Sequence, residues 1–161
     1  MRDPGQNPTA APRLRPAVRE PDPRLSEASE AGAVRRLRCF IVEDSAVIRQ
    51  NLVAMLEDLL PIDVVGHAED QAQALGWLES ADGFCDLLLI DIFLKVGSGL
   101  PVLAAAQASG RAGKLVVLSN YATPDIRRRC AALGADRVFD KSSELEELIA
   151  YCADIGAGER S

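Results

Sequence analysis

The sequence predicts an α/β fold of five strand–helix units, (βα)5, in which a parallel sheet carries helices on both faces. Three observations carry this expectation. Short apolar runs recur at roughly 22–28 residue steps, the spacing of strand–helix units. Four of the runs lack polar alternation, as strands covered on both faces do. Between the runs, apolar residues fall at helical spacing.

The first run is Cys39–Val42, and Ile48, Leu52, Met55, Leu56 and Leu59 after it form a helical stripe. The second is Ile62–Val65, followed by Ala74, Trp77, Leu78 and Ala81, a helix weakened by Gly76. The third and most apolar, Leu87–Ile90, precedes a helix opened by Ser98, with Leu100, Leu103 and Ala106 facing inward. The fourth, Leu115–Leu118, precedes Thr123-Pro124, an N-cap with proline at the first helical position. That helix places Ile126, Cys130 and Leu133 on one face and stops at Gly134. The fifth, Val138–Phe139, is followed by Ser143 and Glu146 at capping-box spacing, opening a helix with Leu145, Leu148, Ile149 and Cys152 inside. Right-handed crossovers put helices on both faces, and for five strands the flavodoxin-like, doubly wound order 2-1-3-4-5 is the expected solution.

The chain has 161 residues, 48% of them apolar, enough for one domain with a buried core. Residues 1–36 hold six of the nine prolines and few large apolar residues, so a disordered tail is expected there. The domain is expected over residues 37–155, with a short C-terminal tail over 156–161. Residues 1–36 hold 7 Lys/Arg against 5 Asp/Glu, whereas residues 37–161 hold 11 against 19. A domain that acidic argues against direct nucleic-acid binding through phosphate contacts and favours a divalent cation or a basic protein partner. Cys39, Cys85, Cys130 and Cys152 have no CxxC spacing, and three of the four lie in apolar patterns, which predicts core residues. No apolar run approaches the ~20 residues of a membrane span, and none forms a signal peptide, so a cytoplasmic protein without membrane contact is expected.

In an open α/β sheet, ligands bind beyond the carboxyl ends of the strands. Glu43 and Asp44 end the first strand, Asp91 the third and Ser119 the fourth, and Lys141 lies just past the fifth. Three converging carboxylates repel one another, and a hard cation such as Mg2+ resolves this with oxygen ligands. Asp91 ends the most apolar strand and is therefore the best-held nucleophile; a carboxylate attacking phosphorus forms an acyl phosphate. Lys141 supplies a point charge and Ser119 a hydroxyl donor for the transferring group. No glycine-rich phosphate loop occurs, so nucleotide binding is not supported.

These residues resemble the receiver domain of two-component response regulators. The resemblance rests on Phe40-Ile41-Val42-Glu43-Asp44, Leu89-Ile90-Asp91, Gly97-Ser98-Gly99-Leu100, Leu118-Ser119 and Gly134-Ala135-Asp136 leading to Lys141, and covers about residues 37–154. It implies Asp91 as phospho-acceptor and Glu43 and Asp44 as the acidic pair for Mg2+. It implies the backbone carbonyl of Phe93 as a further metal ligand, Ser119 as the switch hydroxyl and Lys141 as its charged companion. It also implies phosphoryl transfer from a histidine kinase or phosphotransfer protein. Val138 stands where many receivers carry an aromatic residue, with Phe139 one place later; Ser142 replaces a common proline, and Asn120 is larger than the usual residue. Phe93 and Tyr121 flank the acceptor and are expected to screen it from water.

The expected function is that of a stand-alone receiver in a phosphorelay, acting on a separate, unidentified downstream protein. A phosphorylation-independent scaffold shares the fold. A Mg2+-dependent aspartyl-phosphate phosphohydrolase shares the nucleophile, but wants an acid two residues after it, where Phe93 stands. No enzymatic activity beyond self-phosphorylation and autodephosphorylation is therefore expected. His67 is the only histidine, which argues against a histidine metal site. Arg127, Arg128 and Arg129 read as a solvated helix face. In the family the face formed by the fourth helix, fifth strand and fifth helix docks partners, and Glu144, Glu146 and Glu147 can pair with those arginines in a symmetric homodimer.

Overall fold

The structure, a computed structural model, describes residues 36–80 and 83–158. The expected disordered tail lies outside these residues except for Arg36, as do Ala81 and residues 159–161 of the expected C-terminal tail. The five units run in order: β1 (Leu37–Val42), α1 (Ala46–Leu59), β2 (Ile62–Ala68), α2 (Gln71–Glu79), β3 (Cys85–Asp91), α3 (Gly99–Ser109), β4 (Ala112–Ser119), α4 (Pro124–Ala132), β5 (Arg137–Asp140) and α5 (Leu145–Gly158). All the strand pairs are parallel and the sheet order is β2-β1-β3-β4-β5, as the sequence predicts.

Alternation along each strand divides the core into two layers. Leu37, Ile41, Leu89, Leu118 and Phe139 point toward Leu52 and Leu56 of α1 and Leu148 of α5. Phe40, Leu88, Ile90 and Val117 point toward Ala74 and Leu78 of α2, Leu103 of α3 and Cys130 of α4. Central β3 is buried on both faces, each leucine contributing about 1.5–3 kcal/mol of apolar transfer. All four cysteines are buried free thiols, and burial pushes Cys85 and Cys152 up to about 12, so they serve as small core residues. Trp77 lies half-buried and stacks on Phe40 with centroids 3.8 Å apart.

Side-chain caps fix where the helices begin. Ser45, Asp70, Ser98 and Thr123 each accept a first-turn amide, from Ile48, Gln73, Leu100 and Ile126. Two local expectations fail. On α1 the buried set is Arg49, Leu52 and Leu56, whereas Leu59 is 62% exposed because the inward face lies about one residue from the expected stripe. Before α5, Asp140 organises the turn in place of a Ser143–Glu146 box: its Oδ1 accepts from the amides of Ser142 and Ser143 and the Ser142 hydroxyl. Helix α5 continues to Gly158, past the expected boundary at residue 155.

Edge strand β2 is irregular. Its register against β1 shifts between Cys39 and Phe40, leaving Val65 as an extra residue that is 39% exposed. The Val64 amide donates to the Glu57 carboxylate at 2.9 Å, and Asp63 takes a 2.7 Å ion pair from Arg36. His67 is exposed on the same strand.

Two glycines test the packing. A Cβ on exposed Gly76 meets no atom within 4 Å, so Gly76→Ala should stabilise the fold by about 0.5–1 kcal/mol through helix propensity. A Cβ on Gly99 would lie 2.5 Å from the Asp91 carbonyl oxygen and 2.7 Å from Ile92 Cα, both backbone atoms. Gly99→Ala should therefore cost about 1–3 kcal/mol. Urea denaturation of the two variants checks both signs.

Candidate functional site

The strand register assembles the site. Val42 pairs with Ile90, so Glu43 emerges beside Asp91; Asp91 pairs with Leu118, so Ser119 lies one step beyond; Ser119 pairs with Asp140, so Lys141 follows at the same edge. Glu43 and Asp91 are 2% and 7% exposed and Ser119 is fully buried. Such groups require partners, and Lys141 supplies one to each carboxylate: its ammonium donates to Glu43 Oε1 at 2.6 Å and to Asp91 Oδ2 at 2.9 Å.

Glu43 is held at four atoms. Its amide donates to the Ala68 carbonyl at 3.0 Å and its Oε2 accepts from the Ser45 amide at 3.0 Å. Its carbonyl accepts from Arg49 Nη1 at 2.9 Å, and Oε1 faces Lys141. Burial, the largest influence, pushes the Glu43 carboxyl above its ordinary value, against the opposing pull of Lys141 and Ser45. Burial alone would lower the Lys141 ammonium, but its bonds to Glu43 and Asp91 outweigh that and raise it.

The remaining site residues come from loops. Asp91 Oδ1 accepts from the amide of Phe93, two residues on, at 3.0 Å. Asp44 is half-buried, and its Oδ2 accepts the Lys95 amide, tying the β3–α3 loop to the end of β1. Gln71 anchors the same loop, its Oε1 accepting the Ser98 amide at 2.9 Å and its own amide donating to the Val96 carbonyl. Ser119 Oγ accepts from the Tyr121 amide at 2.9 Å, leaving its hydroxyl proton available, and its carbonyl accepts the Lys141 amide at 2.9 Å. The rings of Phe93 and Tyr121, both largely exposed, meet edge-on with centroids 5.4 Å apart.

Glu43, Asp44 and Asp91 can each offer one carboxylate oxygen, all within 4.8 Å of one another. An all-oxygen, largely buried donor set fits a hard divalent cation and not a soft metal. A groove lined by Ile48, Asn51, Met55, Asn120 and Leu145 opens beside Lys141, between α1 and α5.

The structure brings every expected site residue to this edge. Three contributors escape the sequence reading. The Gln71 side-chain oxygen accepts the Ser98 amide and the Lys95 amide donates to Asp44, contacts between residues distant in sequence that leave no local signature. Arg49 had one: it falls three and seven residues before Leu52 and Leu56, on the buried stripe. The expected solvated arginine face is corrected at Arg127, which is only partly exposed and donates to the carbonyls of Ala122 and Val138 and to Glu144. Within the chain, Arg127 pairs with Glu144 at 2.9 Å and Arg128 with Asp125 at 3.3 Å.

Known proteins share this fold. Residues 39–153 match the family model of the response regulator receiver domain. The chain is 28% identical over 112 residues to the uncharacterized transcriptional regulatory protein YvfU of Bacillus subtilis (strain 168), covering 70% of this chain and 55% of that protein. The response regulator domain of Thermotoga maritima CheB superposes with a TM-score of 0.63 at 21% identity, covering 74% of this chain and 98% of that one. A chain in the crystal structure of the P1 domain of CheA3 in complex with CheY6 from R. sphaeroides matches with a TM-score of 0.58 at 29% identity, covering 71% and 95%. The chain spans about half the length of the curated relatives it matches, 55%, 55% and 52% for three of them.

Removing the shared ammonium tests the electrostatics. Lys141→Met leaves two buried carboxylates facing each other and should cost about 3–5 kcal/mol at neutral pH without divalent ions. Because the folded-state value of Glu43 is already raised, the folded protein binds that proton more readily than the unfolded chain. Stability therefore rises as pH falls through the window above the ordinary glutamate value of 4.5, and the deficit of the variant should narrow there. Denaturant melts of both proteins across that window check it.

Proposed function

This chain belongs to the response regulator receiver domain family, and on that premise we propose that it accepts a phosphoryl group on Asp91 from a histidine kinase or phosphotransfer protein and relays the change to a separate protein. The observation that carries the reading is the Lys141 ammonium spanning Glu43 and Asp91, with Asp44 beside them, at the carboxyl edge of the sheet.

In the proposed reaction an Asp91 carboxylate oxygen forms the new bond to phosphorus as the bond to the donor nitrogen breaks. The electron pair leaves with the donor imidazole. Mg2+ held by Glu43, Asp44, Asp91 and the Phe93 carbonyl would neutralise charge on the phosphoryl oxygens. Lys141 begins on Asp91 Oδ2 and so stands within reach of an oxygen of the incoming group. The Ser119 hydroxyl, already accepting from Tyr121, has its proton free to donate to another. The groove between α1 and α5 gives the donor an approach beside Lys141. The chain's own chemistry is confined to forming and losing this acyl phosphate.

The same proposal assigns the response to the α4–β5–α5 face, a cytoplasmic setting and, with Arg129, Glu146 and Glu147 exposed there, self-association as one mode of output. No helix among the described residues is long and apolar enough to cross a membrane.

Incubation with acetyl phosphate and Mg2+ followed by intact-mass measurement tests the reading. Wild type should gain one phosphoryl group and Asp91→Asn none. Turnover of phosphate esters would instead indicate a hydrolase, and wild type without an adduct a scaffold. A second measurement addresses the aromatic cover: Phe93→Ser and Tyr121→Ser should each shorten the acyl-phosphate lifetime several-fold, read as the decay of the adduct. An unchanged decay in both variants would remove the screening role.

A further inference from the structure

Arg127 makes more side-chain bonds than a surface helix residue needs. Nε donates to the Ala122 carbonyl at 3.0 Å, Nη1 to the Val138 carbonyl at 2.8 Å and Nη2 to Glu144 Oε1 at 2.9 Å. The same Glu144 oxygen accepts the Asp140 amide at 2.9 Å. One guanidinium therefore joins the β4–α4 loop to β5 and to the turn after it. The β4–α4 loop runs from Ser119, the last residue of β4, through Asn120 and Tyr121 to Ala122; Lys141 follows Asp140, the last residue of β5, in the turn that also carries Glu144. The loops also meet directly, through the Lys141 amide on the Ser119 carbonyl at 2.9 Å.

Two neighbouring side chains on β5 offer no polar link of their own. Val138 is aliphatic and half-buried against the α2–α3–α4 layer, so it has no polar atom with which to sense the loop. Phe139 is 2% exposed and points into the opposite layer. A planar fork of donors is suited to holding carbonyls and a carboxylate in fixed relative positions, which a lysine cannot reproduce. The Glu144 carboxyl is held below its ordinary value by its bonds to Arg127 and the Asp140 amide, in keeping with a permanently ionised partner.

We propose that Arg127 is a positioning residue for the phosphoryl site: it sets the loops bearing Ser119 and Lys141 in register and transmits their movement to the α4–β5–α5 surface. This rests on the function proposed above. When Ser119 is drawn toward a group on Asp91, Ala122 moves with it, and the bond from Nε to Ala122 pulls on a guanidinium that also holds β5 and α5. The concave surface between α4, β5 and α5, walled by Arg127, Ala131, Arg137 and Glu147, changes shape in consequence. The coupling runs through backbone carbonyls and one carboxylate and needs no ring at residue 138.

Hydrogen exchange on the full chain, read by mass spectrometry, tests this for wild type, Arg127→Lys and Arg127→Ala, each with and without Mg2+ and beryllium fluoride. In the unloaded state, Arg127→Lys should speed exchange about tenfold in segments 119–123 and 138–142 and leave the β1–β3 segments unchanged. The response of 138–148 to beryllium fluoride, present in wild type, should be lost, while the acetyl-phosphate adduct on Asp91 persists. Arg127→Lys keeps the charge beside Glu144, so a loss of coupling there separates the fork from the charge; it also decides the matter if Arg127→Ala fails to fold. Wild-type exchange in both segments, or an intact response at 138–148 in Arg127→Lys, would overturn the proposal. Absence of an adduct on wild type would sink the function instead, and the unloaded comparison would still decide whether Arg127 positions the loops.

Discussion

One ammonium group between two buried carboxylates is the interaction on which the rest of this molecule depends. Glu43 and Asp91 sit at the ends of adjacent strands, where the surrounding apolar residues give neither acid a substitute for water. Lys141 compensates both at once. Its position requires a third strand pairing to be in register, so the site exists only when β1, β3, β4 and β5 have all been placed. A buried charge cluster contributes little net stability and can cost some. Its stability comes from elsewhere, from the two apolar layers that the sheet separates.

That division of labour follows from the sheet. The layers on either face fix strand positions to a fraction of a residue, and the carboxyl ends inherit the precision. Loops then adjust what the strands deliver. Ser45 and Arg49 hold Glu43 from its own side of the sheet, while Gln71 and the Lys95 amide restrain the loop that follows Asp91. The donors in these contacts are mostly backbone amides, which cannot be lost by substitution, only by movement. A site built this way resists small side-chain changes yet responds when a loop shifts.

The fold was legible because its signals were redundant. Apolar runs, helical stripes and caps at Ser98 and Thr123 all pointed to the same five units, so errors at Leu59 or in the turn at Asp140 did not propagate. The acidic cluster was legible because topology alone sends the ends of β1 and β3 to one edge. What stayed hidden were contacts between residues distant in sequence whose types are ordinary. Arg127 sits in a run of three arginines that composition marks as solvent-facing, and only the location of two carbonyls and Glu144 makes it different from Arg128. Arg49 was recoverable from its place on the buried stripe, because a cation there needs an acceptor.

The irregular outer strand β2 has a further consequence. A sheet edge is a template onto which another polypeptide can add itself, and open edges invite fibrous or runaway association. Here the shifted register at Val65 breaks the flat run of free amides, Glu57 occupies the Val64 amide, and the ion pair of Asp63 with Arg36 adds charge alongside. A newcomer would have to displace a carboxylate and straighten a kink before forming its first ladder bond. The protein thus discourages the addition of another polypeptide by backbone pairing at the β2 end of its sheet.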